Sequence, residues 1–440
     1  MKTVAKILII ALSAGLFFTS CKKDEGGFPK KEPKFSKLSP EEHKSNIESA
    51  GISFVQETQG LVDAQAVVAA ENLGSLTSTS GLKAANKIGF VALLASLNDG
   101  GNGMQVKSFL KDSKGDIATA MDSIEGIYTW NASSQDFDYS AANNEVVIHF
   151  PYNSQSISND CELSFSIVPI TVSGAVTGQT EVPSSITCSL KVNTKEVASW
   201  SLTATYDTEG VPTKVQTTIK VDSYKWQYTV NKSNSSASMD FLYAHGSKTL
   251  VNYGAEIGGN LNIDDIQAFQ EQVDADSLGM GQDGNITQAG TLLQNVKMYF
   301  QVMDIKIVET ANTKDLAAAI EPIMKNYETE AITEDQKNEQ LVSALNSKIN
   351  IYVMYVEDFR KIADGKFVLA TTTGYDYVYN PDLGYDEYVE VTKTEPSVNL
   401  VFSDDSEVAI QTYFETGFED LQTEMTTMVT DFQNVADSFK

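Results

Sequence analysis

The sequence predicts an α+β fold whose core is a large antiparallel sheet. Apolar residues near the N-terminus recur every seven positions, which indicates a helix. From residue 126 onwards apolar and polar residues alternate, which indicates strands, and turn residues separate them at short intervals. Such one-sided strands are typical of an antiparallel meander. We therefore expect an N-terminal helical hairpin packed on a large curved antiparallel sheet, and a second α/β region closed by a C-terminal amphipathic helix.

The first predicted helix begins at Pro40 and continues to about residue 73. Ser39 is a suitable N-cap, and Glu42 completes a capping box. Gly51 and Gly60 weaken the helix and are the positions at which we expect it to bend. Its apolar stripe contains Ile47, Phe54, Leu61 and Val68.

Two further apolar helices are predicted at 82–97 and 104–124, with a glycine-containing break between them. The clearest strand pattern follows at 195–258, where turn residues separate the alternating runs. The apolar faces of two of these runs contain Trp200, Leu202, Ala204 and Tyr206, and Tyr224, Trp226, Tyr228 and Val230.

The pattern is mixed after residue 260. Thr333 and Gln336 form a second predicted capping box, which marks the start of a helix at 334–347. The other predicted helices cover 263–273 and 314–327, and the predicted strands cover 296–308, 349–357, 366–379, 386–393, 397–403 and 407–414.

The chain ends in a strongly amphipathic predicted helix. Its apolar residues are spaced alternately three and four positions apart, which is the a/d pattern of a coiled coil. They are Phe418, Leu421, Met425, Met428, Phe432, Val435 and Phe439. Two interpretations fit this seam: the helix packs on the sheet or on the N-terminal helix, or it pairs with a second copy in a coiled-coil dimer.

The first 21 residues have the pattern of a secretory signal that ends at a cysteine. Lys2 and Lys6 supply positive charge, an apolar stretch covers 4–18, and small residues precede Cys21. The stretch is too short to span a bilayer. An ordinary secretory signal in which Cys21 is incidental is the alternative interpretation.

Phe18-Thr19-Ser20-Cys21 resembles the lipobox of bacterial lipoproteins, with phenylalanine in place of the usual leucine. The charged tract at 22–25 is similar to the tract that sends lipoproteins of the phylum Bacteroidota to the outer surface. The resemblance implies that Cys21 becomes the acylated N-terminus of a protein anchored in the outer membrane and facing the cell exterior. Several acyl chains would be needed, because a single chain holds a protein only marginally.

The charge of the chain argues against nucleic acid as a partner. Its formal net charge is −27 at pH 7, with 59 acidic and 32 basic residues. Nucleic-acid binding requires a basic surface, which this composition does not favour. The acidity is typical of a soluble surface, with binding of cationic partners or divalent ions as the alternative.

The sequence lacks the usual signatures of catalytic and metal sites. Its three histidines are not at ligand spacing, and no Cys-x-x-Cys, nucleophile elbow, P-loop or dinucleotide fingerprint occurs. We therefore expect a non-catalytic protein without a cofactor or metal centre. The acidic, glycine-containing segment 274–285 is either a solvent-exposed loop or an irregular calcium site, because it departs from the EF-hand pattern.

Cys161 and Cys188 each lie on the apolar side of an alternating run, so both thiols are expected to face the core. An extracytoplasmic location permits a disulfide, and a bridge over this loop could contribute roughly 3.5 kcal/mol. The alternative is two separate buried thiols that act as small apolar side chains.

The candidate ligand site is a tyrosine-rich hairpin with a turn at 381–384 and carboxylates on both sides of it. Its tyrosines are Tyr375, Tyr377, Tyr379, Tyr385 and Tyr388. Aromatic rings stack on the apolar faces of sugars while carboxylates accept hydroxyl hydrogen bonds, so a glycan is the favoured ligand. The same residues also suit ordinary sheet, because tyrosine favours strands.

These segments divide the chain into a signal peptide at 1–20, a lipidated flexible tether at 21–38, helices and meander at 39–260, and a mixed α/β region at 261–440. The last two form either separate domains or one body. Three functions are compatible with this organisation: a surface lipoprotein that binds a ligand such as a glycan, a carrier of a lipid or other apolar ligand in a half-shell sheet, and a structural component that assembles with an envelope protein. Helices that fill the concave aromatic face of 200–257 would argue against the carrier.

Overall fold

A computed structural model of the protein has the predicted α+β fold. It describes residues 31–79, 125–142, 145–172, 181–208, 210–262, 292–380 and 385–438. Within these residues, 17 strands belong to one large, mostly antiparallel sheet, which six α-helices accompany.

The helices are α1 (Pro40–Gln59), α2 (Gln65–Thr79), α3 (Thr313–Glu328), α4 (Glu334–Lys348), α5 (Ile410–Glu415) and α6 (Glu419–Ser438), with a 3-10 turn at Gly60–Asp63. The first strands are β1 (Lys34–Phe35), β2 (Gly126–Asn131), β3 (Asp136–Ser140), β4 (Val146–Phe150), β5 (Cys161–Thr171), β6 (Glu181–Val192), β7 (Lys195–Tyr206), β8 (Pro212–Val221), β9 (Tyr224–Lys232), β10 (Ser236–His245) and β11 (Lys248–Gly259). The later strands are β12 (Leu293–Val302), β13 (Ile305–Ala311), β14 (Ile349–Tyr355), β15 (Arg360–Asn380), β16 (Tyr385–Val401) and β17 (Glu407–Ala409).

The described residues cluster into two compact units. The meander unit takes its residues from Gly51–Lys232, Met239–Asn252 and Asp420–Lys440. The arm unit takes its residues from Met1–Ala50, Ser233–Ser238 and Tyr253–Glu419. This division differs from the predicted boundary near residue 260, because β10 and β11 contribute to both units and most of α6 belongs to the meander unit.

In the meander unit, strands β4 to β9 pair in chain order, each antiparallel to the one before. β2 pairs antiparallel with β3 and parallel with β4. Alternate residues of β2 and β4 are buried, as the sequence alternation predicts. The buried face includes Trp130, Phe150 and Phe165, and α2 packs on it through Ala69 and Leu73. Helix α2 therefore covers this part of the sheet.

In the arm unit, strands β12 to β17 also pair antiparallel in chain order. Helices α3 and α4 pack on β14, β15 and β16, in a core that includes Ile320, Leu341, Ile351, Phe367 and Val398. This core fixes the helix pair to the base of the β15–β16 hairpin.

Part of the segment predicted as a flexible tether is a strand. Lys34 pairs with Arg360 and Phe35 with Lys361, in parallel with the start of β15. The flexible tether predicted at 21–38 therefore ends before Lys34. The charged composition of this segment gave no sign that two of its residues would add to a sheet.

Both predicted capping boxes are present. At the start of α1, the Glu42 carboxylate accepts from the Ser39 backbone N–H (2.7 Å), and the Ser39 hydroxyl accepts from the Glu42 N–H (3.2 Å). At the start of α4, Thr333 and Gln336 make the same reciprocal pair. Each box satisfies backbone N–H groups that have no partner inside the helix.

The single helix predicted to about residue 73 is divided at Gly60. Helix α1 ends at Gln59, a 3-10 turn follows, and α2 begins at Gln65. A Cβ atom at position 60 would lie 2.7 Å from the Tyr224 hydroxyl oxygen, so glycine allows the chain to lie close to the sheet here. The expected bend at this glycine is thus a full break.

The strand predicted at 296–308 is a hairpin of β12 and β13. Val302 pairs with Ile305, so the turn consists of Met303 and Asp304, and Met303 has a φ of 52°. The Asp304 carboxylate accepts the backbone N–H groups of Val356 (3.0 Å) and Glu357 (2.7 Å). The sequence prediction failed because methionine is not a usual turn residue and the apolar alternation continues across the turn.

Two other predictions near the C-terminus are wrong in their details. The strands predicted at 386–393 and 397–403 form one strand, β16, which continues through Pro396. The strand predicted at 407–414 ends at Ala409, and α5 follows. Tyr413 of α5 is buried and its hydroxyl donates to the Pro40 carbonyl oxygen (3.0 Å), so packing favours a helix there.

Helix α6 is present, but its predicted seam is only partly covered. Phe418, just before the helix, is buried, whereas Met425 is 44% exposed and Phe432 is half-buried. Leu421 lies against Gly51, where an added Cβ would be 2.6 Å from a Leu421 methyl carbon. The seven-residue seam is therefore not a continuous buried stripe over its described part.

Several predictions fall outside the described residues. They are the signal peptide and lipobox at 1–21, the helices at 82–97, 104–124 and 263–273, and the acidic segment 274–285. Within the described residues, no helix is long and apolar enough to cross a membrane.

Candidate functional site

The β15–β16 hairpin extends far beyond the part of it that pairs with the neighbouring strands. Its 17 residue pairs extend from Asp364–Val401 to Asn380–Tyr385. The β14 ladder reaches β15 only as far as Gly365, and the β17 ladder reaches β16 only as far as Asn399. Among the described residues, positions 372–380 and 385–393 therefore form a two-stranded ribbon, which we call the arm. Nine residue pairs give it a length of about 30 Å.

Helix α4 braces the base of the arm through two asparagines. The Asn338 side-chain amide donates to the Thr394 carbonyl oxygen at 2.6 Å. The Asn346 side chain donates to the Phe367 carbonyl oxygen and accepts from the Phe367 N–H, both at 2.8 Å. These bonds, together with the apolar core beneath them, fix the direction in which the arm extends from the base of the hairpin.

The register of the arm decides which of the predicted site residues come together. Tyr377 pairs with Tyr388, Tyr375 with Glu390, and Tyr379 with Asp386. Directly paired residues lie on the same face of a sheet, as do residues two apart in one strand. One face, which we call the tyrosine face, therefore has Tyr375, Tyr377, Tyr379, Asp386, Tyr388 and Glu390 at its positions.

Tyr385 is not at a position of the tyrosine face. It pairs with Asn380, one residue out of phase with Tyr379, so its position belongs to the opposite face. The five predicted platform residues thus divide into four and one. The side chains of 374–388 lie outside the described residues, so the register alone supports this assignment.

Of the two alternatives for Cys161 and Cys188, the structure has separate thiols and not a disulfide, because both cysteines are free. β5 and β6 are neighbours, but Cys161 pairs with Val192 and Cys188 with Phe165, so the cysteines are four positions apart along the ladder. That offset is about 13 Å, well beyond the reach of a disulfide. Burial raises the pKa of Cys161 to about 12 and that of Cys188 to about 11, which favours the protonated, weakly nucleophilic thiol in both.

A polar cluster that the sequence did not reveal joins α1 to the β10–β11 hairpin within the meander unit. The Glu57 carboxylate contacts His245 Nδ1 at 2.6 Å and Lys248 Nζ at 2.5 Å. The hydroxyl of Tyr224 donates to the Glu57 carbonyl oxygen at 2.8 Å. Glu57 and His245 are 188 positions apart in the chain, so no local pattern could have predicted the contact.

Aromatic rings extend this cluster into the sheet. The His245 ring stacks on Tyr224, with centroids 4.3 Å apart, and Trp226 stacks on Tyr243 at 4.9 Å. The ring of Phe54 on α1 meets Tyr243 edge-on. The Glu57 carboxylate is occupied by both Lys248 and His245, so the arrangement is suited to holding α1 on the sheet rather than to proton transfer.

Glu57→Gln is expected to destabilise the meander unit by about 1 kcal/mol at neutral pH, because it removes a charged acceptor from a partly exposed ion pair. Hydrogen bonds from Lys248 and His245 hold the pKa of Glu57 below its usual 4.5. A lowered folded-state pKa stabilises the fold above the unfolded value, and this stabilisation is lost as pH falls through the folded value. The difference between wild type and variant should therefore shrink below pH 4.5.

Urea unfolding followed by tryptophan fluorescence measures this difference, because the three tryptophans Trp130, Trp200 and Trp226 all lie in the meander unit. Asp63→Asn is the matched control, since Asp63 is an exposed carboxylate in the adjacent 3-10 turn. A Glu57→Gln effect that equals the control, or that is independent of pH, would contradict the assigned role.

A second unpredicted cluster holds the start of α1 within the arm unit. His43 is buried, and its Nδ1 lies 2.8 Å from the Tyr355 hydroxyl, which also accepts from the Asn46 side-chain amide (3.0 Å). Burial lowers the pKa of His43, which favours the neutral ring. The cluster is enclosed by Phe402 and is a packing feature of the core.

Among the described residues, no group of three or more His, Cys, Asp or Glu side chains could hold a metal ion. Comparison of the chain with protein-family models, with curated proteins and with solved structures finds no match. The candidate site therefore stands on its own geometry, and the arm is the feature that this geometry favours.

Proposed function

We propose that this chain is a non-catalytic lipoprotein, anchored by Cys21 in a bacterial outer membrane and facing the exterior, that binds a glycan on the tyrosine face of the arm. The lipobox-like residues and the charged tract at 22–25 support the anchor. The register of the arm supports the binding face, and it is the observation on which the choice of site rests.

The composition of the tyrosine face suits a carbohydrate. Four tyrosine positions spaced along about 14 Å of strand match a run of two or three sugar rings, which can stack on aromatic rings. Asp386 and Glu390 pair with the outer two tyrosines, so acceptors for sugar hydroxyls flank the aromatic positions. A two-stranded ribbon alone is only marginally stable in water, and a bound ligand would add a layer to it.

The carrier function is not proposed, because helices occupy the face that it would need. In the meander unit, Phe54 packs against Tyr243, and the main chain at Glu57 and Gly60 lies against Tyr224. These contacts place the end of α1 over the aromatic rings of β9 and β10. An apolar ligand would have to displace that helix.

Tyr377→Ser combined with Tyr388→Ser is expected to abolish binding to a bacterial surface-glycan array, because the two residues form the central cross-strand pair of the tyrosine face. Loss of an aromatic stacking contact typically costs about 0.5–1.5 kcal/mol of binding free energy per ring. This cost is additional to that of the lost apolar contact area. Fluorescence detection of the labelled protein on the array measures the loss.

Tyr385→Ser is the matched control, since it removes a tyrosine from the opposite face of the same ribbon. It should leave glycan binding unchanged. Equal losses in both variants would indicate damage to the hairpin, and a wild-type protein that binds no glycan would refute the proposed ligand. Retention of an envelope protein through the same tyrosines would instead favour an assembly role.

A further inference from the structure

The N-terminal segment is fixed to one end of the strand whose other end forms the arm. β1 lies parallel to β15 at Arg360 and Lys361, and the Ser36 N–H donates to the Lys361 carbonyl oxygen (2.8 Å). All of these residues belong to the arm unit. The position of the N-terminal segment relative to the arm is therefore fixed within a single compact unit.

Lys361 holds the segment in place. It is 4% exposed, and its ammonium group pairs with Asp364 (2.7 Å) and with Glu32. The same group lies 4.7 Å from the ring centroid of Phe35 and 5.8 Å from that of Tyr352. Two of the partners of this buried ammonium, the Glu32 carboxylate and the Phe35 ring, belong to the segment, and they fix 32–35 to the sheet because loss of Glu32 would remove one of its two ion pairs.

The parallel pairing determines at which end of β15 the described chain begins. β15 extends from Arg360 at its base to Asn380 at the tip of the arm, a span of about 65 Å along the strand. Because β1 has the same direction as β15, residues 31–33 lie at the base end, away from the tip. The chain between Cys21 and Glu32 can extend at most about 40 Å.

We infer that the arm is the membrane-distal end of the arm unit, so that its ligand is a glycan polymer outside the protein's own membrane rather than the head group of a lipid in that membrane. This inference rests on the proposed function, since it requires acylation at Cys21 and a ligand on the arm. The anchor restrains the base, and the braced hairpin carries the tyrosine face away from it.

Energy transfer to a labelled membrane surface tests the inference. The acylated full-length protein is reconstituted in vesicles of phosphatidylethanolamine and phosphatidylglycerol that carry an acceptor dye on their head groups. A donor dye is attached in turn to Asp358→Cys before β15, Thr371→Cys near the base of the arm and Asn380→Cys at its tip. Protein without an added cysteine, labelled in parallel, gives the background from Cys161 and Cys188.

Transfer efficiency should fall in the order Asp358→Cys, Thr371→Cys, Asn380→Cys. Equal efficiencies, or the highest efficiency at Asn380→Cys, would overturn the inference while leaving the lipid anchor intact. Failure of the protein to associate with vesicles would overturn both the anchor and the inference. The expected order in a protein that binds no glycan would support the membrane-distal position of the arm but overturn both the proposed ligand and the part of the inference that concerns it.

Discussion

Phe150→Ala is expected to lower the free energy of unfolding of the meander unit by about 3–5 kcal/mol. Phe150 is 0% exposed and lies in the core that α2 covers. Truncation removes the transfer free energy of a large ring and leaves a cavity in the close-packed core between the sheet and α2, which cannot collapse easily. Urea unfolding followed by tryptophan fluorescence reports on this unit, because it contains all three tryptophans.

Ile157→Ala is the control for this substitution. Ile157 is another large apolar residue of the same unit, only seven positions away, but it is fully exposed. Its truncation should change the unfolding free energy by no more than about 0.5 kcal/mol. Similar effects of the two substitutions would mean that Phe150 is not part of a packed core.

Cys21→Ala is expected to abolish membrane association, because it removes the proposed covalent attachment to lipid. An acyl chain contributes about 0.8 kcal/mol for each buried CH₂ group, so loss of several chains removes essentially all of the binding free energy. Fractionation of cells followed by immunoblotting should show the variant as a soluble or unprocessed precursor. Cys188→Ala, which changes a free thiol in the sheet, should remain in the membrane fraction.

We expect export to the outer surface to be separable from lipidation. Replacement of Lys23, Asp24 and Glu25 with alanine should retain the lipid but protect the protein from protease added outside intact cells. Unchanged protease accessibility in this variant would mean that the tract at 22–25 does not direct export.

The sequence was most informative where one periodicity held over many residues. The runs at 195–258 were predicted as an antiparallel meander, and β7 to β11 cover them, because a single buried face imposes a period of two. The capping boxes at Ser39 and Thr333 were equally predictable, since both partners lie within four positions. Local chemistry determined these elements.

Contacts between distant positions could not be predicted from the sequence. Glu57 meets His245 and Lys248, and Lys361 meets Glu32 across 329 positions, and no local pattern relates these residues. The register of two neighbouring strands was equally unpredictable. The alternating runs around Cys161 and Cys188 predicted both strands, but only the register shows that the two thiols are four positions apart.

The arm was predictable from local sequence only in part. Its tyrosines were predicted as candidates because Tyr375, Tyr377 and Tyr379 alternate in one run. The choice of Tyr388 over Tyr385 as their cross-strand neighbour depends on the turn, and a shift of one residue would reverse it. The length of the arm beyond β14 and β17 also became visible only in the fold.

The proposed location, the surface exposure and the membrane-distal position of the arm all depend on the lipid anchor at Cys21. Mass spectrometry of the N-terminal peptide, taken from protein isolated from its native cells, tests the anchor most directly. We predict a peptide that begins at Cys21 and carries the added mass of fatty acyl chains. A mature N-terminus at another residue, or an unmodified Cys21, would contradict the claim.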